Sequence, residues 1–518
     1  MSGVEVLAVV LAAIDISFRL IALVIVPRNR RPQTSMAWLL AIFFIPFVAF
    51  FAFLAFGSHR LSPTRRRKQE TTNRILEVEQ RHIPDSIRVA PAELELASGD
   101  TSRSGRKTQE NNNTRLPLLG QTTRLIAPLV QLNERLGQMA MVRGNRVTLH
   151  SDYQATLDDM IADIDRAQRT VHVLFYIMSV DEVTEGFFAS LARAKKRGVE
   201  VRVLFDQVAT ARIPGSRALR RRLRAAGVDY RAMLPFQPWR GVYQRPDLRN
   251  HRKLLVIDTE VAYTGSQNII EPGYRRRGSK GLHWSDLMAR VEGPLVHSLE
   301  ALFVTDWYQE TDTILETPEL TAEPGEDSPA INSAEDTWAQ VVPSGPAFEG
   351  ENNLRLFNGL MYQARKRIVI VSPYLVPDDS MRYAITSAAL SGVRVDVYVS
   401  AVGDQPLVFY AQHSYYGELL RAGVHIWLYP APTVLHSKFI VVDGEVAVMG
   451  TSNLDMRSFT LNLELSVLLI GQDIITRLES LAENYREAST ELTTDKWNQR
   501  GQLTRFVEGL ARLTATVQ

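Results

Sequence analysis

Apolar positions along the chain fall into two patterns, long unbroken runs at the start and short strand-length runs afterwards. The opening runs are Val4 to Val26, interrupted inside by Asp15 and Arg19, and Met36 to Phe56, which holds no charge. Each is about the length a helix needs to cross a hydrocarbon core of roughly 30 Å. The basic turn PRNRRP joins them, and the second run is too long for the apolar stretch of a signal peptide. The pattern predicts a transmembrane helical hairpin over residues 1–57. Asp15 and Arg19, four apart, share a helix face and can neutralise each other in lipid. Trp38 lies near one end of the second run, where an interfacial ring fits. Arg28, Arg30 and Arg31 lie in the turn, and Arg60, Arg65, Arg66, Arg67 and Lys68 follow the hairpin. The positive-inside rule favours both hairpin ends, and with them the rest of the chain, in the cytoplasm.

Residues 58–125 are polar and read as a juxtamembrane linker, with a short helix near 73–82. Beyond it, short apolar strands alternate with amphipathic helices. TVHVLFYIM (170–178) reads as a buried strand, FFASLARAKKRG as a helix stopped by Gly198, and VEVRVLFDQV as the next strand. This alternation predicts an α/β fold, with a largely parallel sheet covered on both faces.

The same elements then return. RIVIVSPYLVPDD (367–379) mirrors TVHVLFYIMSVDE, and GVRVDVYVS (392–400) mirrors GVEVRVLFD (198–206). HRKLLVIDTEVAYTGSQNI, from His251, matches HSKFIVVDGEVAVMGTSNL, from His436, at nine of nineteen positions. A repeat this long is a duplicated domain rather than a solenoid. The expected domains are 126–311 and 339–518, joined by an acidic linker over 312–338. Amphipathic helices from Asp473 to Val517 are expected to pack on the second.

Composition narrows the partners. A chain of 518 residues exceeds one core. A net charge of +2 gives no global field for nucleic acid, although arginines crowd residues 212–253. The absence of cysteine excludes disulfides, thiolate zinc sites and a cysteine nucleophile.

The duplicated stretch carries the chemistry. Side chains two apart on a strand share a face, so His251 lies with Lys253 and His436 with Lys438. Asp258 and Asp443 complete the two candidate catalytic sets. Seven positions past their histidines, they face away or sit in the turn and read mainly as structural anchors. Ser266 and Asn268, with Thr451 and Asn453, follow glycines that let the backbone come close; they offer hydrogen bonds to phosphate oxygens. Facing each other across a pseudo-twofold axis, these groups would form a cationic pocket for a phosphodiester. One histidine attacks phosphorus and the other protonates the leaving alkoxide. Lysines and asparagines hold the non-bridging oxygens, with no metal or other cofactor. A reacting histidine needs a partner on its far ring nitrogen. Asp286 and Glu464, thirty-five and twenty-eight residues past the histidine of their own half, are the candidate orienting carboxylates. Tyr176 and Tyr374, at matched strand ends, are candidate pocket-lining residues. His413 has no counterpart in the first half and reads as structural or pocket-lining.

The paired H-x-K-x4-D motifs, each followed by G-x-x-N, resemble those of the phospholipase D superfamily. With WLLAIFFIP in the N-terminal hairpin, NHRK in the first motif and LHSK in the second, the chain is similar to bacterial cardiolipin synthases of that superfamily. The resemblance covers nearly the whole chain. It implies two α-β-α sandwich domains sharing one site, and phosphatidyl transfer between two phosphatidylglycerols through a phosphohistidine, with release of glycerol. It also implies His251 as nucleophile and His436 as general acid, and a place in the bacterial inner membrane without an obligate protein partner. Thr259 replaces the usual glycine after the first motif's aspartate, and GSQN stands where G-G-x-N is common. The acceptor is not fixed by the motifs, since water or another alcohol can use the same histidines. Arginines around LRRRLRAAG, Phe236 and Trp239, and YRRRGSK (274–280), are a candidate surface for anionic lipid.

Overall fold

The computed structural model describes residues 3–28, 32–57, 61–96, 120–237, 244–274, 281–318, 335–348 and 350–515. Trp239, Arg30, Arg31, Arg60, residues 275–280 and most of the acidic linker lie outside these. The chain divides into two compact units, Met1–Leu61 with Phe236–Leu248, and Ser62–Pro235 with Arg249–Gln518.

In the first unit Gly3–Ile25, Pro32–Phe44 and Pro46–Phe56 are helical. Asp15 and Arg19 pair at 2.9 Å, as their spacing predicts. The second apolar run, expected as one helix, is broken. Pro46 has no N–H to continue the ladder, and Ile45 leaves helical geometry at φ −134°, ψ 66°. The chain then doubles back. Trp38 packs against Phe53 with ring centroids 5.6 Å apart, where one straight helix would separate them by about 22 Å. Phe18 of the first helix stacks on Phe50 at 4.6 Å. Among the described residues one helix, Glu5–Ile25, is long and apolar enough to cross a membrane.

The second unit is built on one sixteen-stranded sheet whose two halves repeat the same order. From the middle outward the first half runs Met141–His150, Met288–Glu292, Val261–Gly265, Lys253–Ile257, Thr170–Phe175, Glu200–Asp206 and Asp229–Met233. The second runs Thr337–Ser344, Asn462–Ile470, Val446–Gly450, Phe439–Val442, Arg367–Val371, Arg394–Ser400 and His425–Tyr429. The two middle strands pair antiparallel, which relates the halves by a pseudo-twofold axis. Along these two runs the three outer strands of each half are parallel and the others antiparallel. The expected largely parallel sheet is therefore mixed. Each H-x-K strand ends in a tight turn with two left-handed residues, Asp258 and Thr259 (φ 54° and 59°) or Asp443 and Gly444 (φ 57° and 69°). Such a turn returns the chain beside itself and enforces antiparallel pairing.

Helices cover both faces. Leu295–Thr311 and Gln472–Ala488 lie on one, over a core continuous across both halves. On the other, each half has its own core. The region expected as an irregular linker contains a nineteen-residue helix, Pro63–Arg81, much longer than predicted. It is held to Leu295–Thr311 by Arg65–Glu310 at 2.7 Å and Lys68–Asp312 at 2.8 Å. Ile126 and Val130, expected in the first domain, are buried in the second half's core. Hydrophobic contact across the repeat, not order along the chain, sets where they pack.

Candidate active site

The motif strands deliver both histidines to the line where the halves meet. Arg249–Asn250 pairs with Asn462–Leu463 of the second half, and His251 N–H donates to Leu463 O at 2.8 Å. Thr433–Leu435 pairs with His283–Ser285 of the first half, and His436 N–H donates to Ser285 O at 2.8 Å. Each histidine is thus clamped by a strand from the opposite half.

These clamps also exchange the orienting carboxylates. His251 Nδ1 lies 3.0 Å from Glu464 Oε2, and His436 Nδ1 lies 2.6 Å from Asp286 Oδ1. Both predicted carboxylates serve histidines, but each serves the histidine of the other half. An ionised carboxylate only accepts, so each Nδ1 carries the proton and each Nε2 keeps its lone pair.

Ser266 and Thr451 do not present free hydroxyls to a phosphate. Ser266 Oγ donates to Asp286 at 2.6 Å and accepts from Leu287 N–H at 2.9 Å. Thr451 Oγ1 donates to Glu464 at 2.5 Å and accepts from Leu465 N–H at 2.9 Å. Their hydroxyl protons are already committed, so they hold the carboxylates rather than a phosphate. Gly265 and Gly450 make this approach possible, since a Cβ there would lie 2.2 Å from Leu287 O or Leu465 O. Asn268 Oδ1 accepts from Ile177 N–H at 3.1 Å. Asn453 is buried, and its side-chain oxygen has no partner among the described residues.

Asp258 and Asp443 lie in the turns and belong to the anchors, not the catalytic group. Asp258 accepts from the backbone N–H groups of Gln168, Arg169 and Thr170 at 2.7, 2.7 and 2.8 Å. Asp443 does the same for Arg365, Lys366 and Arg367 at 2.8, 2.7 and 2.8 Å. Each carboxylate fixes the start of the neighbouring strand.

Lys253 and Lys438 are buried, and each Nζ donates to its own motif's histidine carbonyl, at 2.7 and 2.5 Å. Burial, with the other lysine's charge, pulls Lys253 down to about 7. Burial pulls Lys438 down to about 8 against the carboxylates. Burial likewise pulls His251 down to about 4 despite Glu464, and lowers His436 despite Asp286. Burial works to raise Asp286 and Glu464, but their histidines and lysines outweigh it and hold both below the ordinary carboxylate range. The resting site therefore pairs neutral imidazoles with ionised carboxylates. It holds cationic charge in reserve for an anion, which would raise the lysine and histidine pKa values.

Tyr176 meets His251 edge-on at 4.8 Å, with Lys253 Nζ 5.4 Å from its ring centroid. Tyr374 turns its hydroxyl to Asp404 at 2.7 Å. His413 is structural: its Nδ1 meets Phe409 O at 2.6 Å, and its ring packs among Phe409, Tyr416 and Trp497. The sequence reading missed Arg252, which is fully buried. Its guanidinium binds both oxygens of Asp306 at 2.8 and 2.7 Å, and its Nε donates to Glu464 O at 3.1 Å. A charged residue pointing away from its neighbours' face on an apolar strand was the available signal.

Residues 160–307 and 359–486 match the family described as cardiolipin synthase, PLD-like domain. Residues 7–58 match the phospholipase D-nuclease N-terminal family. Cardiolipin synthase A of Proteus mirabilis (strain HI4320) is 32% identical over 492 residues, 93% of this chain and 92% of that protein. Cardiolipin synthase A of Pectobacterium carotovorum subsp. carotovorum (strain PC1) is 30% identical over 490 residues, 95% of this chain and 94% of that protein. The crystal structure of a phosphatidylserine synthase from Haemophilus influenzae Rd KW20 shares the fold, with a TM-score of 0.57 at 15% identity, over 75% of this chain and 99% of that one. Matched in both halves and aligned along nearly its whole length with such relatives, the chain belongs to the phospholipase D-like cardiolipin synthase family.

Proposed function

We propose that this protein is a cardiolipin synthase. It transfers a phosphatidyl group from one phosphatidylglycerol to another and releases glycerol. The carrying observation is the pair of histidines in one site, each with its Nδ1 held by the opposite half's carboxylate and its Nε2 left to react. The bound phosphodiester anion raises His436, which takes up a proton at Nε2 from solvent; His251 Nε2 then attacks phosphorus, the P–O bond to glycerol breaks, and the departing alkoxide takes that proton from the His436 imidazolium. The second phosphatidylglycerol then gives a hydroxyl proton to His436 and attacks phosphorus. The P–N bond breaks and its electron pair returns to His251. Lys253, Lys438, Asn268 and Asn453 hold the non-bridging oxygens. One chain carries both halves, so the reaction needs no partner protein and no nucleic acid.

The N-terminal helices anchor the protein in the bacterial inner membrane. The doubled-back pair returns Gly57 to the end where the Arg28 turn lies. With a single crossing helix, the positive-inside rule supports reading the side of the Arg28 turn as cytoplasmic.

Product analysis tests the function. With phosphatidylglycerol as the sole lipid, the purified protein is expected to form cardiolipin and equimolar glycerol. Phosphatidic acid as the only product would mean that water is the acceptor, and transfer to lipid would be wrong.

A further inference from the structure

The two halves differ where they flank their histidines. In the first half Asp206 ends its strand fully buried. It accepts from Arg249 Nη1 and Asn250 N–H, both at 3.0 Å, and from Ala209 N–H at 2.9 Å. The last bond caps the short helix Gln207–Ala211, so an ion pair and a helix close this flank of His251. In the second half Ser400 stands in place of Asp206 and Val434 in place of Arg249. The correspondence is structural as well as sequential: Leu435 N–H donates to Ser400 Oγ at 2.7 Å, as Asn250 N–H does to Asp206. Both charges are gone. Residues 401–405 form a loop, and the next helix begins only at Pro406.

A cleft opens beside that loop. It is small and partly open to solvent, with Tyr374, Ser400, Asp404, Gln405, Phe409 and Val434 in its walls. Tyr374 hydroxyl donates to Asp404 at 2.7 Å and accepts from Gln405 Nε2 at 2.9 Å. A carboxylate accepts several hydrogen bonds, so Asp404 retains capacity for hydroxyl donors. Val434 precedes His436 by two residues, and the charge of Asp404 is felt at Lys438. The cleft therefore adjoins the phosphate pocket on its His436 side.

We propose that this cleft is the alcohol site of the reaction. The glycerol headgroup leaving the donor, and then that of the acceptor phosphatidylglycerol, sits at its mouth and places a hydroxyl in it, with Asp404 accepting from that hydroxyl. The assignment rests on the cardiolipin synthase reading. The two chemical steps are mirror images, so the departing and incoming alcohols occupy the same place. That place lies beside the histidine that gives a proton and takes it back. The open flank is that of His436, while the flank of His251 is filled by Asp206 and Arg249. The asymmetry of the repeat thus also separates nucleophile from general acid.

Headgroup exchange reads the site directly. The full-length protein in phosphatidylglycerol vesicles is given deuterated glycerol, and labelled phosphatidylglycerol is measured by mass. The wild type is expected to incorporate label. Asp404→Asn should raise the glycerol concentration for half-maximal exchange about tenfold, the scale of a lost hydrogen bond to a charged group. Ser400→Asp with Val434→Arg, which rebuilds the first half's ion pair inside the cleft, should do the same. If the double variant fails to fold, Asp404→Asn decides. Unchanged half-saturation in folded variants overturns the proposal, whether or not the maximal rate falls. No label incorporation by folded wild type overturns the transfer reading itself, and the alcohol site with it.

Discussion

Glu464 orients His251 from the other half of the repeat, its carboxylate 3.0 Å from the ring's Nδ1, while Asp286 returns the arrangement to His436 at 2.6 Å. Neither motif histidine takes its carboxylate from its own half. Glu464→Gln and Asp286→Asn keep the shape but remove the charge that fixes the tautomer. We expect each to lower kcat by about 10²–10⁴-fold with a much smaller effect on KM. Steady-state kinetics on folded variants checks this. Near-wild-type kcat in either would remove the carboxylates from the mechanism.

The order of attack is open to trapping. His436→Ala leaves His251 to form the phosphoryl–nitrogen bond without an acid for the leaving alkoxide. Acid-labile phosphatidyl adducts, read by peptide mass spectrometry after a rapid quench, are expected on the peptide holding His251. His251→Ala should give none. An adduct on His436 instead would reverse the two roles.

Acid should loosen the protein through its buried imidazoles. His251 is pulled down to about 4 and His436 is lowered too, so between the ordinary imidazole value and about 4 the unfolded chain binds more protons. Their contribution to stability therefore falls as pH drops through that window. Asp286 and Glu464, held low, lose theirs further down, as pH falls below the ordinary carboxylate range. Lys253 at about 7 and Lys438 at about 8 act in the alkaline window, where stability rises toward the ordinary lysine value. An anionic phosphodiester raises both lysines, so its binding near pH 8 should take up protons. Calorimetry in buffers of different ionisation enthalpy measures the uptake, and an uptake of zero would place the lysines away from the phosphate.

The two motif turns give a stability test that bypasses chemistry. Asp443→Ala strips three backbone N–H groups of their acceptor and should cost about 2 kcal/mol or more. Thr259, a β-branched residue at φ 59°, occupies geometry that Gly444 adopts freely. Thr259→Gly should stabilise by up to about 1 kcal/mol. Denaturant unfolding measures both changes, and activity per folded molecule should be retained. A large loss of kcat in folded Asp443→Ala would return the aspartate to the catalytic group.

Membrane topology provides a further check. On the proposed topology, one crossing helix followed by a doubled-back pair, the N-terminus would lie in the periplasm and the body in the cytoplasm. Reporter fusions at the N-terminus and at the C-terminus should therefore report opposite compartments. A shared compartment would restore the two-crossing hairpin.

Sequence alone determined the duplication, the paired histidines and lysines, the two orienting carboxylates and the α/β class, because identity at matched spacings and strand periodicity are local properties. It also placed Asp258 and Asp443 in turns, since a seven-residue offset breaks the face shared by His251 and Lys253. Which histidine each carboxylate serves was beyond it. Strands exchanged across a pseudo-twofold axis leave no trace in spacing, and Asp286 and Glu464 lie nearest their own histidines along the chain. Tertiary packing also decided that Ser266 and Thr451 hold carboxylates rather than phosphate, because only the approach of Leu287 and Leu465 commits their hydroxyls. The second apolar run read as one span because hydropathy is blind to direction. Pro46 breaks it, and the contact of Trp38 with Phe53 shows the chain turning back on itself.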